Sequence, residues 1–346
     1  METESIWYDV RKKPFAICGL YRPETEEIFR RLPEALAETI SPKFAALARQ
    51  PSGGCVRFST DSPVIRLRVT LSEVYRYPIT TPLMASGFDL YEDTAEGSRY
   101  RVSFFPPLAD CTEYETERNV GAGGVRSYTL VFPLRCTVHD VFIGLDAGAV
   151  LSGGREYRAG NPVVIYGSSI VQGVAATRPG MVYPSILSRY LDRYVMNFGF
   201  AGGAHAEPEL MRYLAGLPMS VFVYDYDHNS SGAEDLRRSH QPGFAVIRSA
   251  QPKLPVIFIS RPNASTNPVG AAERRAVIWD TYRAAREAGD RHVYFIDGDT
   301  FFAGRNRYEC TSDCVHPNDL GYTLMAETIE GVIRQALDEA EPEQIN

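Results

Sequence analysis

Beyond residue 160 the chain repeats one pattern that few folds can accommodate. Short runs that are apolar without alternation, PVVIYG, YVMNFG, MSVFVYD, LPVIFIS and HVYFID, are separated by amphipathic stretches such as PSILSRYLDRY, EPELMRYLAG, FAVIRSA and ERRAVIWDTYRAAREAG. A strand that is apolar on both faces has to be covered on both faces. Runs of this kind joined by helices therefore predict an α/β domain of three layers, with a five-stranded parallel sheet between helices. The last amphipathic stretch, from about Asp319 to Leu337, leads into the acidic tail DEAEPEQ, which reads as a solvated end.

The first half obeys a different rule. From about residue 15 to 155, short β-branched and aromatic runs alternate with Gly, Pro and Ser: CVRFST, VIRLRVTL, GFDLY, YRVSFF, SYTLVFPL and VFIGL. In VIRLRVTL the residues Val64, Arg66, Arg68 and Thr70 oppose Ile65, Leu67, Val69 and Leu71, giving one wet face and one core face. That is the pattern of an antiparallel β-sandwich, jelly-roll-like in type. One helix is expected around Glu34 to Ala48, with Pro33 suited to an early helical position. A boundary in the Gly-rich stretch LSGGREYRAGN divides the chain into an accessory domain, 1–158, and a second domain, 159–346.

Charge and targeting signals narrow the function classes. A formal net charge of −7 with scattered Arg and Lys argues against a nucleic-acid partner, which would select a basic face. The start, METESIWYDVRKKPFAICGL, lacks the apolar stretch of a signal peptide, and no segment reaches the roughly 20 apolar residues of a membrane span. A soluble cytoplasmic protein is the expectation, with no membrane partner. Six cysteines, Cys18, Cys55, Cys111, Cys136, Cys310 and Cys314, are too unevenly spaced for a disulfide framework and read as reduced thiols.

In an open parallel sheet, ligands meet the carboxyl ends of the strands. Gly167-Ser168-Ser169-Ile170 follows the first run, Gly199-Phe200-Ala201-Gly202-Gly203 the second, and Tyr226-Asp227-His228-Asn229 the third. Asp313-Cys314-Val315-His316-Pro317 lies beyond the fifth. A serine hydroxyl is a poor nucleophile at neutral pH; it needs a base within hydrogen-bond reach and a carboxylate to fix that base's tautomer. His316 and Asp313 can supply both to Ser169 from one loop. Charge developing on an attacked carbonyl needs preorganised donors, and the Gly202 N–H, the Asn229 amide and the Ser169 N–H answer that need.

Gly-Ser-Ser-Ile, Asn197-Phe-Gly-Phe-Ala-Gly202, Asp227-His-Asn229 and Asp313-x-x-His316-Pro together resemble the four blocks of the SGNH (GDSL-like) hydrolases, in order and at suitable spacing over roughly residues 161 to 335. The resemblance implies a flavodoxin-like α/β/α fold and a serine esterase. It also implies that Ser169 is nucleophile, His316 base and Asp313 the triad acid, with Ser169, Gly202 and Asn229 forming the oxyanion hole. Two positions depart from the pattern: Ser168 stands where an Asp often precedes the nucleophile, and Asp227 where a Gly is expected. In the first half, Arg31-Leu32-Pro33, Ser52-Gly53-Gly54 and Gly87-Phe88-Asp89-Leu90-Tyr91 resemble the GxDLY-type β-sandwich that precedes some SGNH domains.

Blander readings exist for each residue. Ser169 could cap a helix, and Asp313 and His316 could be turn residues. Asp225, Asp227 and His228 lack the spacing of a dedicated metal site, so neither metal nor cofactor is expected, and support for Asn229 is their simpler role. His205 is open between pocket wall and helix surface, Arg178 between substrate contact and solvent. Asp89 and Tyr91 read as structural. The expected reaction is hydrolysis of an acyl ester, acetyl foremost, on a carbohydrate or small metabolite. The alternatives are an acyltransferase with the same triad, or a carbohydrate-binding protein with a vestigial site. Segments 260–270 and 299–310 are expected to shape the substrate pocket, and oligomeric state stays open.

Overall fold

The computed structural model describes residues 4–262 and 268–340. The chain divides into two compact units, one of residues 1–34, 48–158 and 176–181, the other of 35–47, 159–175 and 182–346. Two short segments thus belong to the unit that sequence order would not assign them to.

In the first unit two antiparallel sheets enclose one core. The four-stranded sheet takes Ser5–Asp9, Val138–Asp146, Val64–Leu71 and Glu113–Asn119 in that order. The six-stranded sheet takes Leu151–Gly153, Cys55–Thr60, Arg126–Val131, Phe88–Thr94 and Gly97–Phe104, with Ala16–Cys18 pairing Cys55–Thr60 at the side. Val56, Phe58, Leu90 and Leu130 of one sheet and Ile65, Leu67, Val69 and Ile143 of the other share that core. The alternation expected of VIRLRVTL holds, since Ile65, Leu67 and Val69 are fully buried and Leu71 nearly so. The strand Glu113–Asn119 was not expected. Its sequence EYETERN is polar because only Tyr114 of the seven faces inward, an edge strand that hydropathy does not reveal.

The helix expected across Glu34 to Ala48 is two helices, Glu34–Ile40 and Pro42–Ala48. Proline disfavours helical geometry at the residue before it, and Ser41 turns there, its hydroxyl accepting from the Phe44 N–H at 3.1 Å. The second of these helices packs in the second unit: the Phe44 ring lies 4.4 Å from that of Phe200.

The second unit has the expected parallel sheet of five strands, Val163–Gly167, Val195–Gly199, Val221–Asp225, Val256–Ile259 and Val293–Ile296. Their spatial order is second, first, third, fourth, fifth. Helices Tyr183–Leu191, Pro208–Ala215, Ala233–Ala250, Ala271–Glu287 and Asp319–Ala340 complete the unit. The Ala233–Ala250 helix is longer than the sequence pattern suggested because it runs through Pro242. Gly243 beside that proline lets the helix approach the Tyr224 hydroxyl, where a Cβ has no room. Strand order reverses at the first strand, so the ends of the first three strands adjoin, with Gly167 in register with both Gly199 and Asp225. That reversal is where a ligand crevice opens in sheets of this kind.

Candidate functional site

The chain leaves the first strand through a sharp turn into the one-turn helix Ser169–Gln172. Gly167 makes this turn possible: a Cβ there would run into the Asp225 carbonyl and the Val171 side chain. Ser168, almost fully buried, is the N-cap, its hydroxyl accepting from the Ile170 N–H at 3.2 Å. That capping role is open to Ser as well as to the Asp often found there. Ser169 comes first in the helix, where a backbone N–H has no intrahelical partner.

His316 arrives from the segment before the last helix. A bridge between Thr311 and Pro317 closes this segment into a narrow loop, and Cys314 takes a left-handed φ of 64° within it. Asp313 organises the loop, with Oδ1 accepting from the N–H groups of Val315 at 3.1 Å and His316 at 2.7 Å. Its Oδ2 lies 2.8 Å from His316 Nδ1, and His316 Nε2 lies 2.9 Å from Ser169 Oγ. The three residues singled out from the sequence therefore form one hydrogen-bonded line. Burial works to raise the Asp313 pKa, yet the His316 backbone and imidazole hold it below the usual carboxylate range. The Tyr322 hydroxyl, one turn into the last helix, donates to the Val174 carbonyl at 2.7 Å and ties that helix to the end of the serine turn.

Gly202 and Asn229 are also brought together. Gly202 adopts a φ of 65°, the region that favours glycine. Its N–H donates to Asn229 Oδ1 at 3.2 Å, and Asn229 Nδ2 donates to the Phe200 carbonyl at 2.8 Å. One amide hydrogen of Asn229 remains, and the long Gly202 contact is weak enough to be exchanged for a stronger acceptor. Two side chains that had no assigned role hold this loop to the serine turn. Buried Gln172 accepts from the Ala201 N–H at 2.9 Å, while Asn197 donates to the Val171 carbonyl at 2.7 Å and accepts from the Gly199 N–H at 2.8 Å. Asn197 stood inside the second block; Gln172 carried no sequence signal beyond its place beside the serine.

The acid at 227 does not act on the site as a free charge. Asp227 is buried, with Oδ1 2.9 Å from Arg274 Nη1 and Oδ2 accepting from the Arg261 N–H at 2.8 Å. Burial raises its pKa, and Arg274 works in the opposite direction. Arg274 also donates to the carbonyls of Asp227 and Ser230, so one guanidinium pins both ends of the turn that carries Asn229. Asp225, at the end of the third strand, accepts from the Tyr183 hydroxyl at 2.9 Å, and burial pushes its pKa up to about 8 against that bond. Burial above all, with Arg261 next, pushes the His228 pKa down to about 3, so its ring stays neutral.

The remaining candidates fall elsewhere. His205 is exposed, its Nδ1 3.9 Å from Asp235. Arg178 belongs to the first unit, where Nη1 meets Asp89 Oδ2 at 2.8 Å and the Tyr91 hydroxyl at 2.6 Å. Asp89 is fully buried and also accepts from the Gly180 N–H at 2.8 Å, so the acid and tyrosine of the GFDLY run grip residues 176–181 from within that unit. Cys310 is buried and Cys314 exposed, and the two are not joined by a disulfide. Among the described residues no group of three or more His, Cys, Asp or Glu is placed to hold a metal ion. None of their helices is long and apolar enough to cross a membrane. Of the two segments expected to shape the pocket, residues 263–267 lie outside the described residues.

Comparison with known proteins follows the same division. Residues 160–334 match the family described as GDSL-like Lipase/Acylhydrolase, and residues 5–151 match that described as the N-terminus of Esterase_SGNH_hydro-type, GxDLY. No curated protein matches the chain. Among solved structures, one titled a putative GDSL-like lipase from Bacteroides ovatus is 26% identical with a TM-score of 0.86, covering 97% of this chain and 98% of its own. The salicylyl-acyltransferase SsfX3 of a tetracycline biosynthetic pathway is 20% identical with a TM-score of 0.77, covering 93% and 95%. An acetyl xylan esterase from the rumen bacterium Butyrivibrio proteoclasticus is 11% identical with a TM-score of 0.60, covering 96% and 99%. The last two likenesses are likenesses of fold.

Proposed function

The chain belongs to the GDSL-like lipase/acylhydrolase family and is a serine esterase, and on that premise we propose that it removes acetyl groups from a carbohydrate or a small hydroxylated metabolite through Ser169, His316 and Asp313. What supports the reading above all is the line of contacts from Ser169 Oγ through His316 to Asp313, at 2.9 and 2.8 Å. Ser169 Oγ attacks the ester carbonyl as its proton passes to His316 Nε2, while Asp313 holds Nδ1 and steadies the imidazolium. The oxyanion takes the N–H groups of Gly202 and Ser169 and the free amide hydrogen of Asn229, the first giving up its 3.2 Å contact with Oδ1. Collapse of the tetrahedral intermediate expels the alcohol, which takes the proton from Nε2. Water, deprotonated by the same imidazole, then attacks the acyl-enzyme and releases acetate and free serine.

Acetyl as the acyl group and a carbohydrate as the alcohol are favoured by the likeness to the acetyl xylan esterase. The likeness to an acyltransferase keeps a second reading in view, in which an alcohol replaces water in the last step; product analysis with added acceptor alcohols separates the two. The experiment that tests the core of the proposal is Ser169→Ala with p-nitrophenyl acetate and a fluorophosphonate probe. Turnover should fall about a million-fold, and the probe should label residue 169 of the wild type only. Undiminished hydrolysis by the variant would mean that the nucleophile lies elsewhere.

A further inference from the structure

The loop that carries Gly202 is braced from a side that the mechanism has not used. Residues 35–47 belong to the second unit. From the helix Pro42–Ala48 three side chains reach the loop. The Phe44 ring, almost fully buried, lies 4.4 Å from the Phe200 ring at an interplanar angle of 39°. Buried Leu47 stands over Gly203: its Cδ1 comes within 2.9 Å of where a Cβ on that glycine would be, and Phe44 Cδ2 within 3.4 Å. Lys43 Nζ, from 159 residues away, donates to the Gly202 carbonyl at 3.4 Å. Lys43 and Leu47 are one helical turn apart, and Phe44 and Leu47 three residues apart, so the three share a face.

The two glycines of the loop answer different needs. Gly202 takes a left-handed φ, whereas Gly203 does not, and a side chain on Gly203 would push on the helix instead. The Gly202 N–H leaves Asn229 Oδ1 to meet the oxyanion, so that contact cannot aim the donor at the moment it acts. What stays in place lies on either side of it: Gln172 on the Ala201 N–H, Phe44 against Phe200, and Lys43 on the Gly202 carbonyl. Covalent geometry keeps a residue's carbonyl oxygen within about 4 Å of its own nitrogen, so a hold on one orients the other.

We propose that the Pro42–Ala48 helix sets the aim of the oxyanion glycine, with Phe44 the anchor and Lys43 the hook. Both are positioning residues, acting on the transition state only through the Gly202 N–H. This rests on the oxyanion role given to Gly202 above. A preorganised donor needs no reorganisation when charge develops, and a displacement of about 1 Å is enough to forfeit most of its effect.

The test pairs p-nitrophenyl acetate with its thionoester, in which sulfur, a weak hydrogen-bond acceptor, replaces the carbonyl oxygen. The wild type should favour the oxygen ester at least about 100-fold in kcat, the effect of one oxyanion donor. Phe44→Ala should lower kcat on the oxygen ester about 10- to 100-fold at nearly constant KM. Lys43→Met, a surface change that leaves the core intact, should lower it about 3- to 10-fold. In each variant the ester-to-thionoester ratio should fall by the same factor, and Lys43→Arg, which keeps a donor, should recover it. Variants that slow both substrates equally, or slow neither, overturn the inference, since a helix that merely stabilised the fold would change the amount of active enzyme and not its preference. Asn229→Ala is the reference for the hole itself. If it leaves the ratio intact, or the wild type shows no preference, the oxyanion reading fails and the inference with it. If it lowers the ratio while Phe44→Ala and Lys43→Met do not, the inference alone is lost.

Discussion

Replacing Asp313 by Asn changes one atom, and the hydrogen bonds around it fix the consequence. Oδ1 accepts two backbone N–H groups, from Val315 at 3.1 Å and His316 at 2.7 Å, while Oδ2 faces His316 Nδ1 at 2.8 Å. An asparagine keeps the first pair only with its oxygen toward the backbone, so its NH2 faces the imidazole. That NH2 is a donor, and Nδ1 must then accept. The ring proton moves to Nε2, the atom 2.9 Å from Ser169 Oγ, and the group meant to take the serine's proton now offers one instead. Holding the wrong tautomer costs about 10⁴ in kcat in serine triads, about 5 kcal/mol of barrier. Because the backbone contacts survive, KM and thermal stability should change little, which separates this effect from loss of the loop. The assay is steady-state hydrolysis of p-nitrophenyl acetate, with melting temperature as control. A folded Asp313→Asn protein retaining kcat within tenfold of wild type would refute the tautomer argument.

Two further outcomes follow from the buried charges behind the site. Arg274→Met strips Asp227 of its cation inside the protein, and urea unfolding should report a loss of about 3–5 kcal/mol; adding Asp227→Asn should recover part of it, and an unchanged midpoint for the single variant would contradict the pairing. Asp225 carries a carboxyl whose folded pKa is raised, by burial first, to about 8 from an ordinary 3.8. The folded chain keeps a proton there that the unfolded chain releases, so this contribution is full below pH 4 and is lost as pH rises toward 8. Asp225→Asn should therefore show a smaller loss of urea midpoint between pH 5 and pH 8.5 than the wild type, and parallel losses would count against the raised pKa.

Residue types and their periods carried the parallel sheet into view, because each strand of a doubly covered sheet must be apolar on both faces wherever its helices happen to lie. They carried the inner face of Val64–Leu71 as well. Serine, glycine, asparagine and the Asp-x-x-His pair were singled out because they follow strands or precede a helix in the order of the SGNH blocks, and the fold brings Ser169, His316 and Asp313 into one line of contacts. Sequence was silent where a side chain's role depends on a distant partner. The Glu113–Asn119 strand is polar and reads as a loop until a neighbour pairs with it. The Ser41–Pro42 break needed only local stereochemistry and was missed because the apolar pattern ran across it.

The sequence by itself determined two units of different secondary structure and the strand ends where chemistry could sit, since both follow from local periodicity and from turns that are the chain's own. Only the tertiary structure decided that Arg274 neutralises Asp227 from 47 residues away, that Asp89 grips Arg178 from 89 away, and that Ser169 Oγ meets an imidazole 147 residues on. Such contacts are set by how helices and strands pack, to within an ångström. A one-dimensional pattern specifies which face of an element is buried but not which side chain will stand opposite.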